Sequence, residues 1–84
     1  MKVKMKKERS DIKNWLLINI AKEIGVIPSK VSEETELYSL GIDSEAALSI
    51  MGKMEEWVGI TIPKTFILDN PTIEDVLVFL TGEH

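Results

Sequence analysis

Ser44 stands where a long connection passes into a segment of helical periodicity, in the sequence Leu40-Gly41-Ile42-Asp43-Ser44. The first backbone amides of a helix have no partner within the helix, and the helix dipole places partial positive charge there. A phosphate ester on the Ser44 hydroxyl would therefore be held favourably, with its substituent projecting into solvent. Gly41 permits a tight turn into the helix, and Asp43 can cap the helix or offer a carboxylate to a partner's cation or metal. Serine or aspartate at a helix start is also ordinary capping, so the position alone leaves both interpretations open.

Nucleophilic catalysis is a second chemistry of serine, and the remaining residues do not favour it. A serine nucleophile needs a general base within hydrogen-bond reach, and the common hydrolase type has a G-x-S-x-G turn. The sequence has no such turn, and its single histidine is His84, the last residue, where side chains are poorly fixed. We therefore expect no catalytic residues and no enzyme activity. Ser44 is better suited to be the substrate of another enzyme.

The first element that must position Ser44 is a helix predicted over residues 11–24, with Ser10 as its N-cap. Its apolar residues recur at helical spacing: Ile12, Leu16, Ile20 and Ile24, with Trp15 and Leu17 beside them. Gly25 is placed for a left-handed C-cap, and Pro28 prevents the helix from continuing. The connection over residues 26–43 has no sustained period, yet it contains apolar residues that we expect to hold it against the core as an ordered loop: Val31, Leu37, Leu40 and Ile42.

A second helix is predicted from Ser44 to Trp57 or Val58, with Gly59 as its stop. Its apolar residues are again spaced by three and four: Ala47, Leu48, Met51, Met54 and Val58. Residues 60–69 predict one brief helical turn that presents Phe66 and Leu68 inward. Thr72 and Asp75 form a variant capping box for a last helix, which Gly82 closes, and whose inner face is Ile73, Val76, Leu77 and Leu80. The predicted fold is all-α, a small antiparallel four-helix bundle of three principal helices and one short helix, with a long ordered loop between the first two helices.

Size, composition and charge limit the classes of function. The 84 residues fit one domain with a modest core, too small for a catalytic cleft between two lobes. There is no cysteine, which excludes disulfides and a protein thiol and fits a reducing cytoplasm, where we expect the protein to act. We expect no membrane association, because no apolar run approaches a span in length, and the lysines at the start lack the apolar stretch of a signal peptide.

The charge of the chain is unevenly distributed. Residues 1–9 hold five basic side chains and one acidic side chain, a net +4, so the net charge of −4 for the whole chain leaves −8 on residues 10–84. We interpret residues 1–9 as a flexible basic tail and residues 10–84 as the folded domain. The acidic domain would repel nucleic acid and favours positively charged protein partners. We expect a monomer without a resident metal.

Two blocks of the sequence resemble the acyl carrier proteins and the related carrier domains of polyketide synthases. Residues 37–44 (LYSLGIDS) are similar to the family signature L-x-x-L-G-x-D-S. Residues 59–63 (GITIP) and 66–73 (FILDNPTI) are similar to the segment that leads into the family's last helix. With the preceding amphipathic helix, the resemblance covers nearly everything after residue 9, so it identifies residues 10–84 as an acyl carrier domain.

The resemblance implies a four-helix carrier whose Ser44 receives 4′-phosphopantetheine from coenzyme A through a separate, magnesium-dependent phosphopantetheinyl transferase, with Asp43 beside the attachment point. The terminal thiol of this arm would hold acyl groups as thioesters. The implied partners are that transferase, an acyltransferase or acyl-activating ligase, a ketosynthase and other acyl-processing enzymes. The implied docking surface lies on the second helix, and Asp43, Glu55 and Glu56 match acidic positions that the family uses against basic patches. Glu45 and Met51 are further candidate docking residues.

Several finer questions stay open at the level of sequence. Glu45 stands where the family usually has leucine, so its carboxylate serves either the helix dipole or partner recognition. Gly52 costs a helix roughly 1 kcal/mol relative to alanine, which indicates close packing or close approach of a partner. Five residues are expected to pack in the core and could also line an acyl pocket: Trp15, Met51, Met54, Trp57 and Phe66.

The pathway is also open, although residues 69–72 (DNPT) favour a discrete carrier for polyketide or related specialised acyl assembly. The near alternative is type II fatty-acid synthesis, and an aminoacyl or peptidyl carrier is third. An alternative of another class is a helical protein-interaction module in which Ser44 is only a helix cap.

Overall fold

The computed structural model describes residues 8–82, and it is built from helices joined by short connections. The elements are α1 (Arg9–Ile24), a 3₁₀ turn (Pro28–Lys30), α2 (Leu37–Leu40), α3 (Ser44–Val58), α4 (Lys64–Leu68) and α5 (Ile73–Thr81). No strand forms within these residues, where a single isolated β-bridge joins Glu36 to Thr72. The all-α prediction is confirmed, with three principal helices. No helix of residues 8–82 has both the length and the apolar character needed to cross a membrane.

Helix α1 begins earlier than the sequence predicts. Its N-cap is Glu8, not Ser10, and the backbone N–H of Glu8 donates to Asp11 Oδ2 at 3.3 Å. Arg9 lies in the first turn, and its guanidinium pairs with the Glu74 carboxylate at 2.6 Å, which ties the start of α1 to α5. Glu8 and Arg9 therefore belong to the folded domain, since these contacts stabilise an additional turn. Residues 1–7 of the predicted tail, and His84, lie outside the described residues.

The C-terminal ends of α1 and α3 and the start of α5 agree with the prediction. Gly25 and Gly59 adopt left-handed conformations at the C-caps of α1 and α3. At the start of α5, Asp75 N–H donates to Thr72 Oγ1 at 2.9 Å, and Thr72 N–H donates to Asp75 Oδ2 at 3.0 Å. The reciprocal capping box predicted from these two residues is confirmed.

Helix α4 matches the predicted brief turn, but its inner face differs from the prediction. Ile67 is buried, whereas Leu68 is 47% exposed. Phe66 is partly buried against the core and stacks on Phe79 with ring centroids 4.8 Å apart. The inward position predicted for Leu68 is wrong because successive residues of a helix point about 100° apart, so a helix that buries Ile67 turns Leu68 outward.

The core lies between the three principal helices, and α1 packs against both α3 and α5. Each helix contributes one apolar stripe. The buried residues of the helices are Ile12, Leu16, Ile20 and Ala21 from α1, Ala47, Ile50, Met51, Met54 and Val58 from α3, and Ile73, Val76, Leu77 and Leu80 from α5. Val31, Leu37, Ile42, Ile62 and Ile67 complete the core.

The connection from α1 to α3 is ordered and contains two short elements, the 3₁₀ turn and α2, where the sequence predicts a loop. Leu37 N–H donates to the Pro71 carbonyl at 3.0 Å, and Glu74 N–H donates to the Glu33 carbonyl at 3.0 Å. These bonds hold the connection against the junction of α4 and α5. Leu37 and Ile42 are buried as predicted, so the connection delivers the chain to Ser44 from a fixed position.

Candidate functional site

Ser44 is the first residue of α3, and it is exposed to solvent. The preceding residue, Asp43, is the N-cap, and its Oδ1 accepts a hydrogen bond from the Ala46 N–H at 2.8 Å. The predicted capping role of Asp43 is therefore confirmed. The hydroxyl of Ser44 stands at the positively polarised end of a helix of 15 residues, where an anion is stabilised.

The turn before Ser44 is fixed by Gly41 and by the burial of Ile42. Gly41 has φ 107°, a left-handed backbone conformation that residues other than glycine rarely adopt. Its N–H donates to the Tyr38 carbonyl at 3.1 Å, and Ile42 N–H donates to the Leu37 carbonyl at 3.0 Å, which closes the end of α2. Ile42 is only 1% exposed, so it anchors the chain two residues before Ser44. Ser44 is thus held outward by a rigid turn.

A shallow hollow of about 410 Å³ lies beside Ser44 and is open to solvent. It is lined by residues of α2, of the following turn and of the α3 start: Tyr38, Gly41, Ile42, Asp43 and Ser44. Among residues 8–82, no histidine, lysine or cysteine lines this hollow. The carboxylate of Asp43 lies beside Ser44 and already accepts the Ala46 N–H. This geometry suits a hydroxyl that is modified by another protein better than a nucleophile with its own base.

The structure separates four of the predicted docking residues into three groups. Glu45 and Glu56 are exposed on α3. Glu55 is half-buried, and its Oε2 accepts a hydrogen bond from the Ile62 N–H at 2.7 Å, so its carboxylate supports the connection from α3 to α4. Met51 is fully buried, so it does not lie on the exposed surface of α3. Met51 shares the inner face of α3 with Ala47 and therefore packs in the core.

The residues that could line an acyl pocket serve the core packing that the sequence also predicts. Met51 and Met54 are fully buried. Trp15 and Trp57 are partly buried and stack with ring centroids 5.7 Å apart. These contacts join α1 to α3 at the edge of the core.

Gly52 has open space where a side chain would lie. A Cβ built on this residue meets no atom within 4 Å. Close packing against residues 8–82 is therefore not the reason for glycine at this position, and approach of a partner is the explanation that stays open.

Sequence reasoning gave no separate role to Tyr38 or Asn70. Tyr38 lines the hollow beside Ser44, and its backbone N–H donates to Asn70 Oδ1 at 3.0 Å. The two residues are 32 positions apart, so no local spacing reveals the bond. Asn70 adopts φ 63°, a conformation that asparagine tolerates better than most residues. An asparagine before Pro71 is therefore the one local signal in the sequence of a turn at this position.

Comparison with known proteins places these features in a family. The family model described as "Phosphopantetheine attachment site" matches residues 14–80, a range that contains the whole of α3 and the hollow. The chain belongs to this family of phosphopantetheine-binding carrier domains, which carry a covalently attached 4′-phosphopantetheine and are not themselves catalytic.

Curated relatives come from polyketide synthases. The non-reducing polyketide synthase PKS1 of Zymoseptoria tritici is 44% identical over 57 residues, which is 68% of this chain and 3% of the synthase. The non-reducing polyketide synthase 1 of Elsinoe fawcettii is 42% identical over 57 residues, with the same shares of each chain. The chain therefore spans a small fraction of the length of these relatives.

A solved structure shows the same fold. A free-standing peptidyl carrier protein from a secondary metabolic pathway of Acinetobacter baumannii superposes with a TM-score of 0.76 and 27% sequence identity. The match covers 89% of this chain and 94% of that protein. The family model, the curated relatives and the solved structure all confirm the resemblance to carrier proteins that residues 37–44 indicate.

The residues around Ser44 fit the group that the family carries. The arm begins with a phosphate, and the start of α3 offers an exposed hydroxyl at a positively polarised helix end. The hollow leaves room beside that hydroxyl, and the rigid turn at Gly41 keeps the position accessible.

Proposed function

We propose that Ser44 is the attachment point of 4′-phosphopantetheine and that the protein carries acyl groups in polyketide or related specialised acyl biosynthesis. The observation that carries the proposal is the exposed Ser44 at the first position of α3, inside the range matched by the phosphopantetheine family model. When bound, the arm supplies a flexible terminal thiol that holds acyl groups as thioesters. The 84 residues contain no cysteine, so none of their side chains supplies a thiol that would compete with this one.

The residues around Ser44 divide the work of presenting it. The start of α3 provides unpaired amides and partial positive charge for a phosphodiester on Ser44. Asp43 satisfies the Ala46 N–H and so fixes the first turn of α3. The Asp43 carboxylate is already bound to the Ala46 N–H, so we infer that the phosphopantetheinyl transferase removes the proton of the Ser44 hydroxyl. The transferase forms the phosphate ester on Ser44 and breaks the pyrophosphate of coenzyme A, which releases adenosine 3′,5′-bisphosphate.

Partner enzymes would dock on the face of α3 that carries Glu45 and Glu56. The two residues are 11 positions apart, close to three full turns, so they point in nearly the same direction and lie about 16 Å apart along the helix. Exposed Ser49 and partly exposed Gly52 lie between them on that face. The small residues in the middle leave space for close approach, and the carboxylates at both ends suit a basic partner surface.

Two sets of relatives favour different acyl groups. The curated relatives are polyketide synthases, and their identity to this chain reaches 44%. The solved structure is a peptidyl carrier protein, at 27% identity. The higher identity supports the polyketide assignment, and the structural likeness makes an aminoacyl or peptidyl carrier the second candidate.

The attachment proposal is tested by incubating the protein with coenzyme A, Mg²⁺ and a broad-specificity phosphopantetheinyl transferase, then measuring intact mass. We expect a gain of one phosphopantetheinyl group in the wild type and none in Ser44→Ala. Ser39→Ala is the matched control, because Ser39 is exposed and lies five residues before Ser44. A folded wild-type protein that gains no mass would leave the interaction-module alternative, and a gain that persists in Ser44→Ala would remove the site.

The pathway proposal is tested on the loaded protein with two charging systems. One is a malonyl-transferring acyltransferase with a ketosynthase, and the other is a panel of amino-acid-activating ligases. We expect malonyl transfer and condensation, detected as the corresponding mass changes. Charging by the ligases alone would assign the protein to the aminoacyl carriers.

A further inference from the structure

Tyr38 is a large aromatic residue beside the proposed attachment point, and neither the core nor the capping of α3 uses it. Its exposed fraction is 40%, although both neighbouring apolar residues of the turn, Leu37 and Ile42, are buried. It lines the hollow together with Ser44. An aromatic residue in this position adds apolar surface next to a hydroxyl that is proposed to bear a phosphate.

The backbone of Tyr38 is held from two directions. Its N–H donates to Asn70 Oδ1 at 3.0 Å, and its carbonyl accepts the Gly41 N–H at 3.1 Å. Asn70 adopts φ 63°, a conformation that costs energy in a residue other than glycine and that places its side chain for this bond. The α4–α5 junction thereby fixes the backbone of Tyr38 at the edge of the hollow.

The hollow beside Ser44 has one charged lining residue among residues 8–82, Asp43. Asp43 and Glu45 flank Ser44 along the chain and are both exposed carboxylates. The remaining lining of the hollow is uncharged and consists of Tyr38, Gly41 and Ile42. The Asp43 carboxylate accepts the Ala46 N–H, so the uncharged part of the lining is the surface that an apolar group next to the phosphodiester would contact.

We propose that the hollow is a resting site for the first part of the phosphopantetheine arm and that Tyr38 is its positioning residue. This inference rests on the proposed function of Ser44. The pantoyl unit follows the phosphate within a few bonds and carries two methyl groups on one carbon. Those methyl groups pack against the Tyr38 ring, which shields apolar surface from water, while the distal thiol stays free.

Nuclear magnetic resonance on the loaded protein tests the contact directly. We expect nuclear Overhauser effects between the pantoyl methyl protons and the Tyr38 ring protons, together with upfield ring-current shifts of those methyl signals. Tyr38→Phe keeps both observations, because the ring is retained. Tyr38→Ala abolishes the shifts. Leu68→Ala, which removes another exposed apolar side chain from α4, leaves them unchanged.

Intact mass separates this inference from the proposed function. A protein that is loaded on Ser44 but shows no methyl contacts and no ring-current shifts overturns the resting site, and the attachment proposal stands. A folded wild-type protein that cannot be loaded overturns both. Amide spectra of each variant establish that it is folded. If Tyr38→Ala does not fold, the wild-type contacts and Tyr38→Phe still decide the matter.

Discussion

Replacement of Glu55 by alanine tests whether this residue supports the fold, as the structure indicates, or serves only as surface charge. Its Oε2 accepts the Ile62 N–H at 2.7 Å in a partly buried setting, next to an Ile62 side chain that is 2% exposed. A hydrogen bond to a charged group contributes about 1.5–3 kcal/mol. Partial exposure of Glu55 places the expected loss toward the lower end, about 1.5 kcal/mol, which corresponds to a fall in Tm of roughly 6–12 °C for a domain of this size.

The assay is urea unfolding followed by far-ultraviolet circular dichroism, with Glu56→Ala as the matched control. Glu56 is the next residue of α3 and is exposed, so its replacement changes helix propensity by a similar amount without removing the bond to Ile62. Glu55→Gln keeps an acceptor but loses the charge, so we expect about half of the loss. A difference below about 0.5 kcal/mol between Glu55→Ala and Glu56→Ala would refute the structural role, because surface substitutions vary by that much.

Three further predictions concern α3. Asp43→Ala lowers the free energy of unfolding by about 1 kcal/mol because the Ala46 N–H loses its cap, whereas Asp43→Asn keeps it; equal urea midpoints for the two variants would contradict the capping role. Gly52→Ala raises the free energy of unfolding by about 0.5–1 kcal/mol, since its Cβ meets open space, and an unchanged or lower midpoint would show a hidden constraint. Glu56→Lys slows acyl transfer to a basic partner enzyme more at low salt than at high salt. Glu34→Lys, at an exposed position of the α1–α2 connection, does not slow it. Identical transfer rates for the two variants would remove the proposed docking face.

The principal helices could be predicted because each repeats its apolar spacing over several turns. The stripe that contains Ile12, Leu16 and Ile20 is fully buried, as its spacing of four residues indicates. Helix α2 could not be recognised in the same way, because its four residues complete little more than one turn. The start of α1 was misplaced because it depends on the pairing of Arg9 with Glu74, which are 65 positions apart.

In the candidate site, too, local features could be predicted and tertiary contacts could not. The position of Ser44, the cap at Asp43 and the turn at Gly41 follow from neighbouring residues, so sequence alone located them. The bonds from Ile62 to Glu55 and from Tyr38 to Asn70 depend on tertiary structure, and no local pattern announces them.

For Met51, the family resemblance and the apolar spacing of the helix indicate different environments. The docking role was inferred from the family's use of this helix as a recognition surface. The spacing of Met51 from Ala47, Met54 and Val58 already placed it on the apolar face of α3, where the structure buries it. For single positions on a helix, the period of the apolar residues is therefore the better guide to burial.

The proposed function requires that the Ser44 hydroxyl receives the phosphopantetheine arm. The most direct measurement is fragmentation mass spectrometry of proteolytic peptides from protein treated with coenzyme A and a phosphopantetheinyl transferase. We expect a single modified peptide in which the fragment series places the added group on Ser44. An added group on Ser39 or Ser49, or no modified peptide from folded protein, would contradict it.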